Sequence, residues 1–284
     1  MNVLITGGTG YLGSHIVRSL INPNNHVVLI KRPHSNMDLL KDVIDDIDCY
    51  DSLEEVFLNH RFDCVIHTAT CYGVDVSQVS ATIDTNVCFS TTVLDYAFKS
   101  GVERFINIDT ALNKYINAYA LTKHQFKEWC KFYATNNKIK IINIPLQHFF
   151  GPYDTENKFV SFLINSCLNN KPVINLTNGE QIRDFIYIED VISALMIILD
   201  IDFKDYFNEI EIGSGIGISI KDFALTVKEL TKSSSKLVFG AIPYREHELM
   251  YSVANIDKLK SLGFKPKYYV VSGINKILKE VLVK

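Results

Sequence analysis

The chain has 284 residues, of which 47% are hydrophobic and 21% charged, with a net charge of −3. That is enough apolar material for one large domain or two smaller ones. Lys and Arg are scattered through a slightly acidic chain, which argues against nucleic acid or an anionic membrane as partner.

The first predicted strand, 3–6, runs into Thr6-Gly7-Gly8-Thr9-Gly10-Tyr11-Leu12-Gly13 and then a helix over 11–20. In that strand–turn–helix context Gly7 allows a tight turn, Gly10 lets backbone approach a pyrophosphate, and Gly13 lets helix and strand pack closely. The helix N-terminus adds amide donors and the positive dipole end. A second strand over 26–31 ends on Lys31-Arg32, with Ser35 behind. Asp or Glu at that strand end would accept from the 2′-hydroxyl of NAD, whereas a guanidinium pairs with a 2′-phosphate, so NADP(H) is the expected cofactor. Next come a helix over 52–58, opened by a Ser52/Glu55 capping box, a strand over 64–67, and a helical stretch over 80–99. A strand over 104–108, a helix over 119–136 and a strand over 140–145 complete the alternation. Short, near-continuously apolar strands between helices predict a doubly wound, Rossmann-type parallel sheet.

The texture changes after Gly151-Pro152. Helices are expected over 159–168, 189–199, 219–230 and 274–283, with short strands over 172–176 and 207–212. The reading is a dinucleotide domain over 1–150 and a smaller, mostly helical substrate lobe over 151–284. No run of eighteen apolar residues occurs, so no membrane span is expected. The opening residues lack a basic n-region, so no targeting segment is expected either. Six cysteines form no C-x-x-C pair. Buried thiols in a reducing cytosol are the expectation, with no metal site.

The glycine loop followed by Tyr119-x-x-x-Lys123 resembles the extended short-chain dehydrogenase/reductase superfamily over nearly the whole chain. Tyr119 and Lys123 lie one helical turn apart and face the same way. An ammonium beside a phenol favours the phenolate, so the tyrosine can exchange a proton with a carbinol or carbonyl oxygen. The resemblance implies Thr110 as the third catalytic group, hydrogen-bonding the same oxygen, although it precedes Tyr119 by only nine positions, a shorter loop than is usual. Asp109 or Asn107 could instead orient this neighbourhood. Asn86 matches a structural Asn-Val position. The resemblance further implies cofactor contacts from Asp46, Ile47, Thr68, Ala69 and His148, alongside Tyr11, Leu12, Tyr119 and Lys123.

Ala111-Leu112 follows Thr110 where the 4,6-dehydratases carry Asp-Glu, and the cysteine of the epimerase–reductases is absent. Plain hydride transfer remains. Residues 182–190 resemble the R-D-F-x-x-V-x-D motif, which implies a diphosphate grip by Arg183 and a helix cap by Asp190. Arg245 matches a second diphosphate arginine. Tyr72, Gln147, His148, Lys158 and Phe159 are the remaining implied substrate contacts. Thr70 to Gly73, Gln147 to Gly151 and Arg245 to Tyr251 resemble the paratose and abequose synthases, 4-ketoreductases of CDP-activated 3,6-dideoxy-4-ketohexoses. A GDP- or dTDP-linked 4-keto-6-deoxy sugar, a 4-epimerase cycling NAD, and an idle dinucleotide-sensing regulator are the alternatives. The resemblance also implies a homodimer.

Overall fold

The computed structural model describes residues 1–73, 78–137 and 139–282. In chain order the elements are β1 (Asn2–Thr6), α1 (Tyr11–Leu20), β2 (His26–Ile30), β3 (Asp48–Tyr50), α2 (Leu53–Asn59), β4 (Cys64–His67), α3 (Val79–Ile83), α4 (Ser90–Lys99), β5 (Arg104–Thr110), α5 (Ala118–Asn137) and β6 (Lys140–Leu146). There follow β7 (His148–Phe150), α6 (Phe159–Leu168), β8 (Val173–Asn175), β9 (Ile182–Tyr187), α7 (Ile188–Asp200), β10 (Phe207–Glu209), β11 (Gly217–Ser219), α8 (Ile220–Leu230), β12 (Lys236–Val238), β13 (Tyr251–Ser252), α9 (Asp257–Ser261) and α10 (Val270–Leu282). A π-type turn, Asp84–Phe89, joins α3 to α4.

Two compact units result: Met1–Pro145 with Ile201–Ile210, and Leu146–Asp200 with Glu211–Lys284. The first is built on a seven-stranded sheet in the order β10-β6-β5-β4-β1-β2-β3. Its central pairings are parallel and put Leu4 beside Val28 on one side and Val65 on the other. All three side chains are fully buried, because helices cover both sheet faces and every strand position must then be apolar. Each contributes about 1.5–3 kcal/mol by leaving water. The chain winds outward from β1 through β2 and β3, then returns to β4 on the other side. The order therefore reverses between β1 and β4, and a crevice opens there at the strands' C-terminal ends.

In the second unit β9 is flanked by β11 and β13 and also pairs with β7, while β8 pairs with β12. Its core is aromatic: Phe185 stacks on Phe223 at 4.1 Å, and Phe150 meets Tyr187 edge-on at 5.5 Å. One expectation is corrected here. The strand sought at 207–212 belongs, as β10, to the first unit, where it pairs with β6 at the sheet edge. A linear cut at 150 also separates residues that pack together, since 146–150 lie in the second unit and 201–210 in the first.

Candidate active site

The glycine loop sits at the crevice between β1 and β4. Gly7 has φ +71, and a Cβ there would lie 2.6 Å from Ala69 N and 2.7 Å from Thr68 Oγ1. A Cβ on Gly13 would lie 2.2 Å from Gly7 O. Gly10 is the N-cap of α1 and offers no side chain to the first-turn amides, and that turn carries no acidic residue. Amides and dipole are thus left to an external anion. Thr68 and Ala69 are held against the loop by Thr6, whose carbonyl accepts from Thr68 Oγ1 at 2.8 Å. These features fit a dinucleotide pyrophosphate. Past β2, Arg32 is exposed and Lys31 half-buried. A turn in which Ser35 N donates to Arg32 O at 3.0 Å keeps Ser35 beside Arg32. Asp46 and Ile47 directly precede β3, the neighbour of β2.

Thr110 ends β5 and Tyr119 opens α5. The loop between them is short but well anchored. Asn117 Oδ1 accepts from Ala120 N at 2.8 Å, capping α5, and His124 bonds Leu112 O at 2.9 Å. The structure brings Thr110 to Tyr119 by a hydrogen bond, and Asp109 acts on both Tyr119 and Lys123. Burial pushes the Tyr119 phenol above its ordinary pKa, reinforced by Tyr72 and Asp109 and opposed by hydrogen bonding with Thr110. The Tyr72 ring lies 5.0 Å from that of Tyr119. Lys123 is only 2% exposed. Burial lowers its pKa, and the Asp109 charge works against that fall. Asn86, in the π-type turn, donates to Cys71 O at 2.8 Å and to Thr122 Oγ1 at 3.0 Å, and accepts from Cys71 N. It therefore ties the segment before Tyr72 to the catalytic helix.

In the second unit Arg183 lies on β9, 6% exposed, and pairs at 2.5 Å with Glu248. Glu248 N donates in turn to Arg245 O, so one turn carries both the partner of the first arginine and the second arginine, which is exposed. Gln147 is buried and accepts from Ser252 Oγ at 3.0 Å. His148 is exposed at the start of β7, yet the protein packed around it and the charges of Arg183 and Lys158 lower its pKa. Lys158 is the N-cap of α6, and Phe159 packs against Phe223. Asp190 departs from expectation. It does not cap its own helix but accepts from Lys267 N and Tyr268 N just ahead of α10.

The model of the NAD dependent epimerase/dehydratase family matches residues 3–213. This chain belongs to that family. CDP-abequose synthase of Salmonella typhimurium is 35% identical to it, with 98% of each chain covered. Among solved structures, UDP-glucose 4-epimerase of Thermotoga maritima, determined with UDP-glucose, superposes with a TM-score of 0.87 at 22% identity, covering 99% of this chain and 100% of that one. The Thermus thermophilus UDP-glucose 4-epimerase, in complex with NAD, gives 0.85 at 21% identity over 98% of each chain.

Three residues of this family member have structural roles that the motifs do not announce. Asp184, inside the arginine motif, is fully buried and accepts from Ser214 N, Gly215 N and Ala254 N. It organises the turn beside β9. His67 is bonded on both ring nitrogens, by Thr6 and Ser90 at 2.8 Å, and burial keeps it neutral. Glu248 as the partner of Arg183 could have been suspected only from the abundance of charge in Arg245-Glu246-His247-Glu248.

Proposed function

We propose that this member of the epimerase/dehydratase family reduces the C4 ketone of a nucleotide-activated deoxysugar with NADPH. The substrate we favour is a CDP-linked 3,6-dideoxy-4-ketohexose made for bacterial surface polysaccharide. The likeness to CDP-abequose synthase over nearly the whole chain carries this reading. The composition of the site supports it: Thr110 is followed by Ala111-Leu112, so no paired acid and base stand ready for elimination.

The dinucleotide, when bound at the glycine loop, supplies the hydride. Tyr119, its phenol kept protonated by burial, gives its proton to the oxygen that becomes the C4 hydroxyl. Thr110 donates a hydrogen bond to that oxygen, and the Lys123 ammonium stabilises the phenolate left behind. Lys31, Arg32 and Ser35 select the 2′-phosphate. Arg183 and Arg245 take the diphosphate, with Tyr72, Gln147, His148, Lys158 and Phe159 around the sugar nucleotide. Binding energy spent on the diphosphate then positions C4. Most of the proposed cofactor residues thus belong to the first compact unit, and most of the diphosphate and sugar residues to the second.

The protein works as a homodimer in the cytoplasm. Leu121, Trp129 and Phe132 are exposed along α5 at helical spacing, which suits a second copy. All six cysteines are free, and no described helix is long and apolar enough to cross a membrane.

A panel of CDP-, GDP-, dTDP- and UDP-linked 4-keto sugars, followed by loss of NADPH absorbance, tests the reading. The CDP-linked 3,6-dideoxy ketone should be consumed fastest, with a GDP- or dTDP-linked 4-keto-6-deoxy sugar as the next candidate. Interconversion of C4 epimers without net NADPH loss would instead make this a 4-epimerase. Oxidation of a 4-hydroxy sugar with no ketone reduced would overturn the reductase reading.

A further inference from the structure

Beneath the catalytic residues the first unit buries an unusual run of polar side chains. Asn107 and Asp109 on β5 and Asn143 on β6 are 0%, 3% and 0% exposed. Glu209, on β10, stands opposite Asn143 in the strand register. Asn143 is fully committed. Its amide oxygen accepts from Asn107 Nδ2 at 2.7 Å, and its two amide hydrogens go to Asp109 Oδ2 and Glu209 Oε2, each at 2.9 Å. The other Asp109 oxygen accepts from Thr110 N at 2.8 Å. Two carboxylates thus share one neutral amide, an arrangement that costs free energy unless cations face it.

The cations come from α5, which packs on β5 and β10. Lys127 pairs with Glu209 at 3.2 Å, its side chain 15% exposed. Lys123, one turn earlier on the same face, has no hydrogen-bond acceptor of its own among the described residues. The groups facing it are Asp109, the Cys130 thiol and His67. Burial keeps the Cys130 thiol protonated and His67 neutral. Asp109 is then the one anion acting on Lys123 among the described residues, with no direct ion pair between the two.

We propose that Asp109 is a positioning residue for the catalytic pair: held by Asn143 between Thr110 and Glu209, it is the buried counter-charge that keeps Lys123 an ammonium beneath Tyr119. The second tether, Lys127 to Glu209, sets the same helix face on the same ladder. The inference rests on the roles proposed for Tyr119 and Lys123. It explains why a carboxylate stands at 109, next to a hydroxyl residue that needs no acid. It also gives Asn143 a function, since only an amide can donate to both carboxylates while accepting from Asn107.

The sign of the pH effect follows from the charges. Removing the Asp109 charge lowers the Lys123 pKa further, and it also lowers that of Tyr119, which Asp109 raises. Tyr72 and Thr110, the other groups facing Tyr119, are unchanged. Both protons needed for reduction are therefore lost at lower pH.

The test is the pH profile of turnover and of NADPH affinity in the full-length protein carrying Asp109→Asn. The alkaline limb should move to lower pH by about one unit, the low end for loss of a nearby opposite charge, with turnover near neutral pH less affected. Glu209→Gln, at the half-exposed end of the ladder, should shift it in the same direction by less, and serves if Asp109→Asn does not fold. Limbs that superimpose on the wild type, with only stability lowered, would reduce the ladder to packing and sink the proposal. Tyr119→Phe and Lys123→Ala are run in parallel. If they retain full turnover, the catalytic assignment itself has failed. If they lose it while Asp109→Asn and Glu209→Gln leave the limb in place, only the present inference has.

Discussion

Tyr119 illustrates how much one side chain owes to its surroundings. The Tyr-x-x-x-Lys spacing is enough to place the phenol and ammonium on one helix face, but the uncharged state of the phenol depends on burial, with Tyr72 and Asp109 adding to it and Thr110 opposing it. Tyr119→Phe keeps the ring packing and removes the proton, so kcat should fall by about 10²–10⁴ while nucleotide-sugar affinity survives. Equilibrium binding measured beside steady-state rates separates the two effects, and near-normal kcat would remove the tyrosine from the mechanism. Arg32 is the cofactor counterpart. A charged contact to the 2′-phosphate is worth about 1.5–3 kcal/mol, roughly ten- to hundredfold in kcat/KM for NADPH over NADH. Arg32→Asp should erase or reverse that preference, and a wild type that favours NADH would refute the assignment. Both residues are proposed from local spacing in the sequence. Glu248 could not be, because it meets Arg183 only where a distant turn folds back.

At the scale of elements, the strand–loop–helix at the N-terminus behaves as its glycines dictate. The 2.2 Å approach of a Gly13 Cβ to Gly7 O is to backbone, which cannot step aside. Gly13→Ala should therefore weaken NADPH binding by more than tenfold, read by fluorescence titration, with little change in nucleotide-sugar affinity. Asn86 does comparable work between elements. Asn86→Ala strands the Cys71 N–H and carbonyl, and should cost about 1–3 kcal/mol in urea unfolding. A variant of unchanged stability would show that water replaces the amide. Helix and strand types in the first unit followed from periodicity except at β3, three residues long, which was not expected. Nor were the short strands β7, β11 and β13, since two or three residues carry no period to read. The shortened loop before Tyr119 also looked ambiguous until the Asn117 cap and the His124 contact showed how it is held.

For the molecule as a whole, the exposed stripe of α5 makes the proposed homodimer testable. Trp129→Glu combined with Phe132→Glu should yield a monomer by light scattering, whereas a wild type already monomeric at micromolar concentration would contradict the assembly. Overall charge, absence of long apolar runs, the β-α alternation, the glycine loop and the Tyr-x-x-x-Lys spacing were determined by the sequence alone, because each depends on composition or on neighbours a few residues apart. Only the tertiary structure decided that residues 207–209 complete the first sheet, that Asn143 joins Asp109 to Glu209, and that Arg183 lies paired rather than free. Those facts depend on partners dozens of residues away, and burial decides them. Once desolvated, a polar group must find whichever partner the fold delivers, and no local pattern in the chain records which one that is.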